Sequence, residues 1–482
     1  MTSLFAALPH ARRPWLVAAI SAILAAAITL VSPSLGAGAV ALIILLVVAL
    51  YQISYAVLLL VILAPWASLV NVLTGGRLVP LGLDVFMIVL AGCILFFAPL
   101  SLKRDWDAQT PARIKTLRWL VLALLAVGAG NVLNPAGLGV LGGLEGFRAF
   151  FLPMLAAPVG YFLGITTKGL SDRLLATIIV SAAVVACMGV RQALAPADID
   201  LAIVQSSQSG LLPFLITGTN RLRAFSPLPG PFHFGLILMI ASVATASMLS
   251  DRFRWVQVAV LLLLLVALAL NATRTNWLGT GTGLLIVTLA SFKRTNVLLW
   301  TLRTGLLATI AIGIGLFLLQ SNAFSVIGAF GAGLFQPFAN TSFVFRVLGW
   351  YHDVLPAIQQ APTIGHGTGM AKDGLGPFTS HNLFFKVLLE GGAVSLVLYL
   401  ATILLAGMLL LKNIRSSRLA RVALASLIGV HAAGLFAPIL DAYPGNLYFW
   451  LILGAGLGKA PLPIGASSLP LPQDYAQTSR RS

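Results

Sequence analysis

Apolar residues run in long blocks along this chain, separated by short polar seams rich in glycine, proline, arginine and lysine. Fourteen blocks can be marked, at about 15–31, 37–51, 54–70, 81–99, 118–135, 148–165, 174–192, 232–249, 255–271, 277–291, 304–320, 384–411, 422–440 and 443–459. Most approach the ~20 residues that a helix needs to cross a bilayer. The pair 37–51 and 54–70 is divided only by Gln52 and a few neighbours. The pattern predicts an all-α fold, a polytopic transmembrane helix bundle of about 12–14 helices. Two outer segments, 193–231 and 321–383, interrupt the rhythm. The second far exceeds the ~4–6 residues of an ordinary connection, and is expected to hold short helices that lie on the membrane surface and cap a cavity. The chain then divides into an N-terminal bundle (1–320), a capping loop (321–383), C-terminal membrane helices (384–460) and a proline-rich polar tail (461–482) expected to be disordered.

Composition agrees. Hydrophobic residues make up 59% of the chain and charged residues 9%, against roughly 25% charged in a soluble domain. No small-residue cleavage site follows Arg12 and Arg13, so the first block is expected to stay as a helix. Cys93 and Cys187 both fall in apolar runs and read as small core residues.

The net charge of +17 could suggest a nucleic-acid partner, but its placement argues against one. With the N-terminus inside, 21 of the 30 lysines and arginines fall in inner seams, the bias of the positive-inside rule. Most of the charge thus faces inner-leaflet lipids. Nine basic residues break the bias: Arg77, Arg148, Arg191, Arg221, Arg223, Arg274, Arg346, Lys372 and Lys386. Positive charge that topology disfavours suggests an anionic ligand; the alternative is snorkelling to lipid phosphates.

Four stretches carry candidate chemistry. In Ser380–Tyr399, His381 and Asn382 stand where the long outer loop meets an apolar run that pauses at Gly391-Gly392; a histidine there can exchange a proton near neutral pH. In 221–235, Arg221 and Arg223 precede a proline/glycine turn, suited to gripping a diphosphate bidentately at headgroup depth. Arg274 lies in a very short outer turn, where an arginine is costly unless paired or used. The nearby Gly279, Gly281 and Gly283 lack the preceding strand and the Gly-Lys of a phosphate loop, and read as close helix packing. From Arg346 to Gly369 an amphipathic helix is followed by a glycine loop, either an anion-binding nest or a connector. Asp198-Ile199-Asp200 mimics a metal-binding pattern without other ligands nearby, and no metal or cofactor is expected.

Together these residues resemble the bacterial O-antigen ligase/polymerase family. The resemblance rests on Arg274-Thr275-Asn276-Trp277-Leu278-Gly279, then Arg346 and Trp350, then Pro362, Gly365 and Gly367, then His381, Asn382 and Gly391. It covers about 270–410, with Arg223 as a further point upstream. It implies an inverting, metal-independent glycosyltransferase of the inner membrane. Such an enzyme uses an undecaprenyl-diphosphate-linked glycan at the periplasmic face. By position, His381 matches the family's essential histidine, and Arg223 and Arg274 its diphosphate-binding arginines. Arg221 and Arg346 are further candidates for the diphosphate, and Asn382 and Trp277 for support. The sequence departs from the family at His366, where an apolar residue is common, and at Lys386, often polar and uncharged; both bear on the acceptor.

Within that family the acceptor is a lipid-linked repeat unit, for a polymerase, or lipid A-core, for a ligase. The number of predicted helices favours the polymerase, with a chain-length regulator as a possible partner. A lipid-linked glycan transporter should carry ionisable groups in mid-membrane, which are sparse here. A non-catalytic scaffold would leave His381 and Arg274 unexplained.

Overall fold

The computed structural model describes residues 40, 42–49, 52–74, 78–92, 112–167, 169–206, 214–215, 222–291, 305, 309, 341–372 and 375–458. The expected membrane segments at 15–31 and, but for two residues, 304–320 lie outside these residues. So do the start of the capping loop, Arg77, Arg221, Cys93 and the tail from 461.

Regular structure among the described residues is helical apart from one isolated antiparallel bridge, Leu215–Leu222. In chain order the helices are α1 (Ile53–Leu63), α2 (Ala67–Thr74), α3 (Leu78–Gly92), α4 (Ala112–Val132), α5 (Gly139–Phe150), α6 (Ala156–Thr166), α7 (Leu170–Leu194) and α8 (Asp198–Ser206). There follow α9 (Pro231–Asp251), α10 (Trp255–Asn271), α11 (Arg274–Ala290), α12 (Thr341–Gly349), α13 (Leu355–Gln360), α14 (Leu383–Asn413), α15 (Arg418–Gly434) and α16 (Gly445–Leu457). Four stretches among them are long and apolar enough to cross a membrane: Ile53–Val70, α7, α9 and α14. The pair α5 and Leu152–Thr166, bent by 44°, makes a fifth if counted as one broken span. The protein is an all-α, polytopic, multi-pass membrane protein.

Several sequence boundaries shift for physical reasons. The block expected at 148–165 starts earlier, as α5 at Gly139. It breaks at the 3₁₀ turn Leu152–Leu155, where Pro153 cannot continue an α-helical ladder. The helix expected from 118 starts at Ala112, and the outer segment 193–231 carries α8. Cys187, expected in the core, is exposed.

Helix pairs that touch closely do so through glycine. A methyl group on Gly454 of α16 would lie 1.9 Å from the Ala157 carbonyl oxygen, and one on Gly160 of α6 would lie 2.2 Å from that of Leu451. Gly279 of α11 meets Gly429 of α15 in the same way, with a would-be methyl 2.8 Å from the Gly429 oxygen. The expected packing role is seen for Gly279 and for Gly283, whose would-be methyl lies 2.6 Å from Val243, but not for Gly281, which has nothing within 4 Å. In a bilayer, where lipid is as apolar as leucine, such backbone approach is a main source of helix association.

Helix α14 is broken where the sequence pauses. Gly392 takes φ 65° and ψ −170°, and the segment 361–367 threads through the gap. Ala393 and Val394 donate to the carbonyls of Pro362 and Thr363, while His366 and Gly367 donate to those of Leu389 and Glu390. Four backbone groups at the break, two N–H groups and two carbonyls, thus find partners in the inserted segment, as a low-dielectric setting favours.

Helix α9, 21 residues long, spans about 30 Å and separates two polar ends. At one end Asp251 joins Arg418 (2.6 Å) and Arg421 (2.8 Å), and Arg418 also reaches Asp172 (2.7 Å). At the other end lie the candidate site residues.

Candidate active site

Three turns and one helix build the site. Arg223 follows the Leu215–Leu222 bridge. Its backbone N–H donates to the Phe214 carbonyl (2.7 Å) and its Nε to that of Leu215 (2.8 Å), so both chain and side chain are fixed. Arg274 opens α11 directly after α10, with only Ala272 and Thr273 between the two helices. Arg346 sits on α12 and donates from Nη1 to the Phe436 carbonyl (2.9 Å), just beyond the end of α15. His381 ends the loop that enters α14, and the next residue, Asn382, caps that helix. The Asn382 Oδ1 accepts from the N–H groups of Phe384 (2.8 Å) and Phe385 (3.0 Å), and its Nδ2 donates to Leu435 (2.9 Å). Such a cap typically contributes about 1 kcal/mol, and here it also ties His381 to the same chain segment that receives Arg346.

The helix carrying Arg346 changes pitch at once. Trp350–Val354 form a π-turn, a feature frequent at functional sites. The turn lets the Trp350 Nε1 donate to the Ser380 carbonyl (2.5 Å), one residue before His381, while its ring meets Phe385 edge-on at 5.5 Å. Val354, Ala357, Ile358, Met370, Ala371 and Leu389 form a small apolar cluster beneath this cap.

Electrostatics shows what the fold brings together. Burial, then the charges of Arg274 and Arg346, lowers the Arg223 guanidinium to about 10. Burial, then Arg346, pushes the His381 imidazole down to about 4. Arg223, Arg274, Arg346 and His381 therefore share one neighbourhood, although 158 positions separate the first from the last. The charges of Arg274 and Arg346 both act on Arg223, and a polyanion beside it would relieve that cost. Three non-glycine residues among the described ones have left-handed φ: Ser226 (58°), Ala272 (52°) and His381 (45°). Each lies at or within three residues of a site residue, in keeping with the clustering of backbone strain at functional sites.

The remaining outer basic residues divide differently. Arg148 pairs with Asp84, Arg191 with Asp200 (2.6 Å) and Lys372 with Glu145 (2.7 Å). Lys386, fully buried, lies between Glu390 (2.7 Å) and Asp441 (3.2 Å). The sequence reading offered all of these to an external anion or to lipid; their carboxylate partners show internal pairing instead. The departures from the family pattern, Lys386 and His366, are both internal, His366 Nε2 lying 2.6 Å from the Ala357 carbonyl.

The glycine loop is not an anion nest. The N–H groups of residues 365–368 are bonded to the carbonyls of Ala361, Leu389, Glu390 and Asn131. A methyl on Gly365 would lie 2.5 Å from the Glu390 carbonyl carbon, so the glycine is required for close approach. Asp200 accepts from Arg191 and Gln192, so the Asp-x-Asp resemblance has a structural cause. Trp277 packs, partly buried, against the main membrane core. Sequence reasoning missed Glu390 and Asp441 as partners of Lys386. The four-residue spacing of Lys386 and Glu390 was a usable signal; the contact with Asp441 was not.

No curated protein matches the chain. Residues 259–400, which hold Arg274, Arg346 and His381, match the model of the O-antigen ligase family. That domain, in an all-α polytopic membrane protein, supports membership of the O-antigen ligase/polymerase family.

Proposed function

We propose that the protein is an inverting glycosyltransferase of the bacterial inner membrane. It would move a glycan from an undecaprenyl-diphosphate carrier to an acceptor sugar hydroxyl at the periplasmic face. The observation that carries this reading is that Arg346 acts on both His381 and Arg223, and Arg274 on Arg223, so that the four residues share one end of the bundle. The arginines receive the donor diphosphate. The acceptor O–H gives its proton to the neutral imidazole of His381 as its oxygen attacks the anomeric carbon. The bond from that carbon to the phosphate oxygen breaks, and the lipid diphosphate leaves with the electron pair. Charge grows on the leaving group, where fixed guanidiniums stabilise it; removing one such preorganised donor typically costs about 3–4 kcal/mol of barrier. A positioned general base typically contributes about 10²–10⁴-fold.

Orientation follows from charge. Arg252, Arg254, Arg415, Arg418 and Arg421 cluster at the end of the bundle opposite the site, and the positive-inside rule places that end in the cytoplasm. The number of apolar blocks favours a polymerase acting on lipid-linked repeat units, whereas the description of the matching family favours a ligase acting on lipid A-core. Incubating purified protein with lipid-linked donor, alone or with lipid A-core, decides between them. A ladder of longer lipid-linked glycans means polymerase, and conjugated core means ligase. No transfer under either condition, with donor bound, would overturn the enzymatic reading.

A further inference from the structure

Below the arginine turns lies a chain of polar groups, buried except for Arg191, that touches neither donor nor acceptor in the scheme above. Arg191 holds Asp200 through two bonds, of 2.6 and 2.9 Å. Asp200 Oδ1 accepts from Gln192 Nε2 (3.0 Å). The Gln192 Oε1 then accepts from two successive backbone N–H groups, those of Phe225 (2.8 Å) and Ser226 (2.9 Å). From the other side, Asn271 Nδ2 donates both to the Ala224 carbonyl and to the Pro231 carbonyl, each at 2.8 Å. Ser226 Oγ adds a bond to the Val185 carbonyl (2.6 Å), and the Ala224 N–H one to Leu270 (3.1 Å). Gln192 and Asn271 are both fully buried.

The placement of these amides is specific. Asn271 bridges the two ends of the turn that follows Arg223, and its own backbone leads, through left-handed Ala272, to Arg274 three residues on. Gln192 grips the same turn one and two residues further along, at Phe225 and left-handed Ser226. A short loop rich in proline and glycine has no helix or sheet ladder to hold it, so these side chains set its geometry. Two like charges would drift apart if the turns carrying them were loose.

We propose that Asn271 and Gln192 are positioning residues that fix the separation of the Arg223 and Arg274 guanidiniums, matching it to a diphosphate. The proposal rests on the reading of those arginines as the donor grip. It predicts that removing an amide loosens the turns in any background but weakens donor binding only while the arginines are present.

Two measurements test it. The first needs no substrate. Spin labels replace Arg223 and Arg274 through cysteine, in protein lacking Cys93 and Cys187, and the distance between them is measured by pulsed dipolar spectroscopy. A narrow distribution should broaden on Asn271→Leu. An unchanged distribution overturns the proposal, whatever the enzyme's activity. The second is a double-mutant cycle on the donor KM, in the full-length protein in detergent. Asn271→Leu should raise the KM at least tenfold in the native background and less than threefold in Arg274→Ala, because coupled sites are not additive. Equal fold-changes in both backgrounds mean a general structural role and sink the idea. Should Asn271→Leu fail to fold, Gln192→Met takes its place in both measurements.

Discussion

The sharpest consequence of the site concerns the proton. His381 is held at about 4 in the free protein by burial and by Arg346. A histidine depressed that far is neutral at pH 7 and ready to accept a proton, but it is a weak base, since a general base works best with a pKa near the working pH. Donor binding should correct this. The diphosphate brings negative charge into the arginine cluster. One unit charge about 5 Å away contributes about 3 kcal/mol at an effective dielectric constant of about 20. At 1.36 kcal/mol per pKa unit, that is a rise of about two units or more. The donor complex should therefore carry His381 near its ordinary value of about 6.5.

The sign follows directly. Only the neutral form accepts a proton, so activity falls as pH drops through the relevant value. The pH profile of kcat/KM reports the free enzyme, and that of kcat the complex. Expected are an acid limb near pH 4 in kcat/KM and one at about pH 6 or above in kcat. The assay is initial-rate transfer from a lipid-linked donor between pH 4 and 8, with circular dichroism to show the fold intact at each pH. Arg346→Met should move the kcat/KM limb upward, because one cause of the depression is gone. Coincident limbs would refute the argument. A kcat that rises as pH falls would assign His381 instead as a protonated donor to the diphosphate. In that case His381→Gln should rescue donor binding in part, and His381→Ala should not. If His381 is the base, His381→Ala should lose about 10²–10⁴-fold in kcat with donor affinity intact, and full turnover in that variant would remove His381 from the chemistry.

Arg274→Lys keeps the charge and loses the planar fork, so a rate loss of about 10²-fold with normal membrane insertion is expected. Lys372→Met, at a partly exposed pair with Glu145, should be mild, and equal losses at the two positions would dissolve the diphosphate grip. Cysteines at Gln359 and Ser416, in protein lacking Cys93 and Cys187, should react oppositely with an impermeant thiol reagent applied to intact spheroplasts; labelling of Ser416→Cys alone would invert the topology and the site with it. Lys386→Met leaves Glu390 and Asp441 buried without their cation, which should cost about 3–5 kcal/mol by thermal unfolding in detergent. Adding Glu390→Gln should restore part of that, and a Lys386→Met protein as stable as the parent would mean that the pair carries no charge.

The fold was legible in the sequence wherever hydrophobic length alone decided the matter. Helices α7, α9, α10, α11, α14 and α16 fall close to where the apolar blocks place them, because a bilayer imposes one length and one backbone solution. The errors lie where a local break beat the block, as at Pro153, where a proline divides α5 from α6 inside a continuous apolar run. The Gly391-Gly392 pause was visible, but not the loop 361–367 that fills it. That contact joins residues whose pairing no periodicity announces.

The site shows the same division at the level of charge. Topology marked nine basic residues as out of place but could not say what answered each one. Those answered within the protein meet carboxylates: Asp84, Asp200, Glu145, and the pair Glu390 and Asp441. Four of these five acids lie outside the histidine and arginine motifs that drew attention, and the fifth, Glu390, lies within the Ser380–Tyr399 stretch without having been singled out. Arg223 and Arg346 donate to the carbonyls of Leu215 and Phe436, and the charges of Arg274 and Arg346 both act on Arg223. Two of the three turns that bear site residues follow a strained left-handed residue or lead into one, and the third ends on His381 itself. Such strain persists only where surrounding bonds over-determine it, and Gln192, Asn271 and Asn382 supply those bonds. Control in this site therefore runs from amide to turn, from turn to guanidinium, and from guanidinium to the proton affinity of His381.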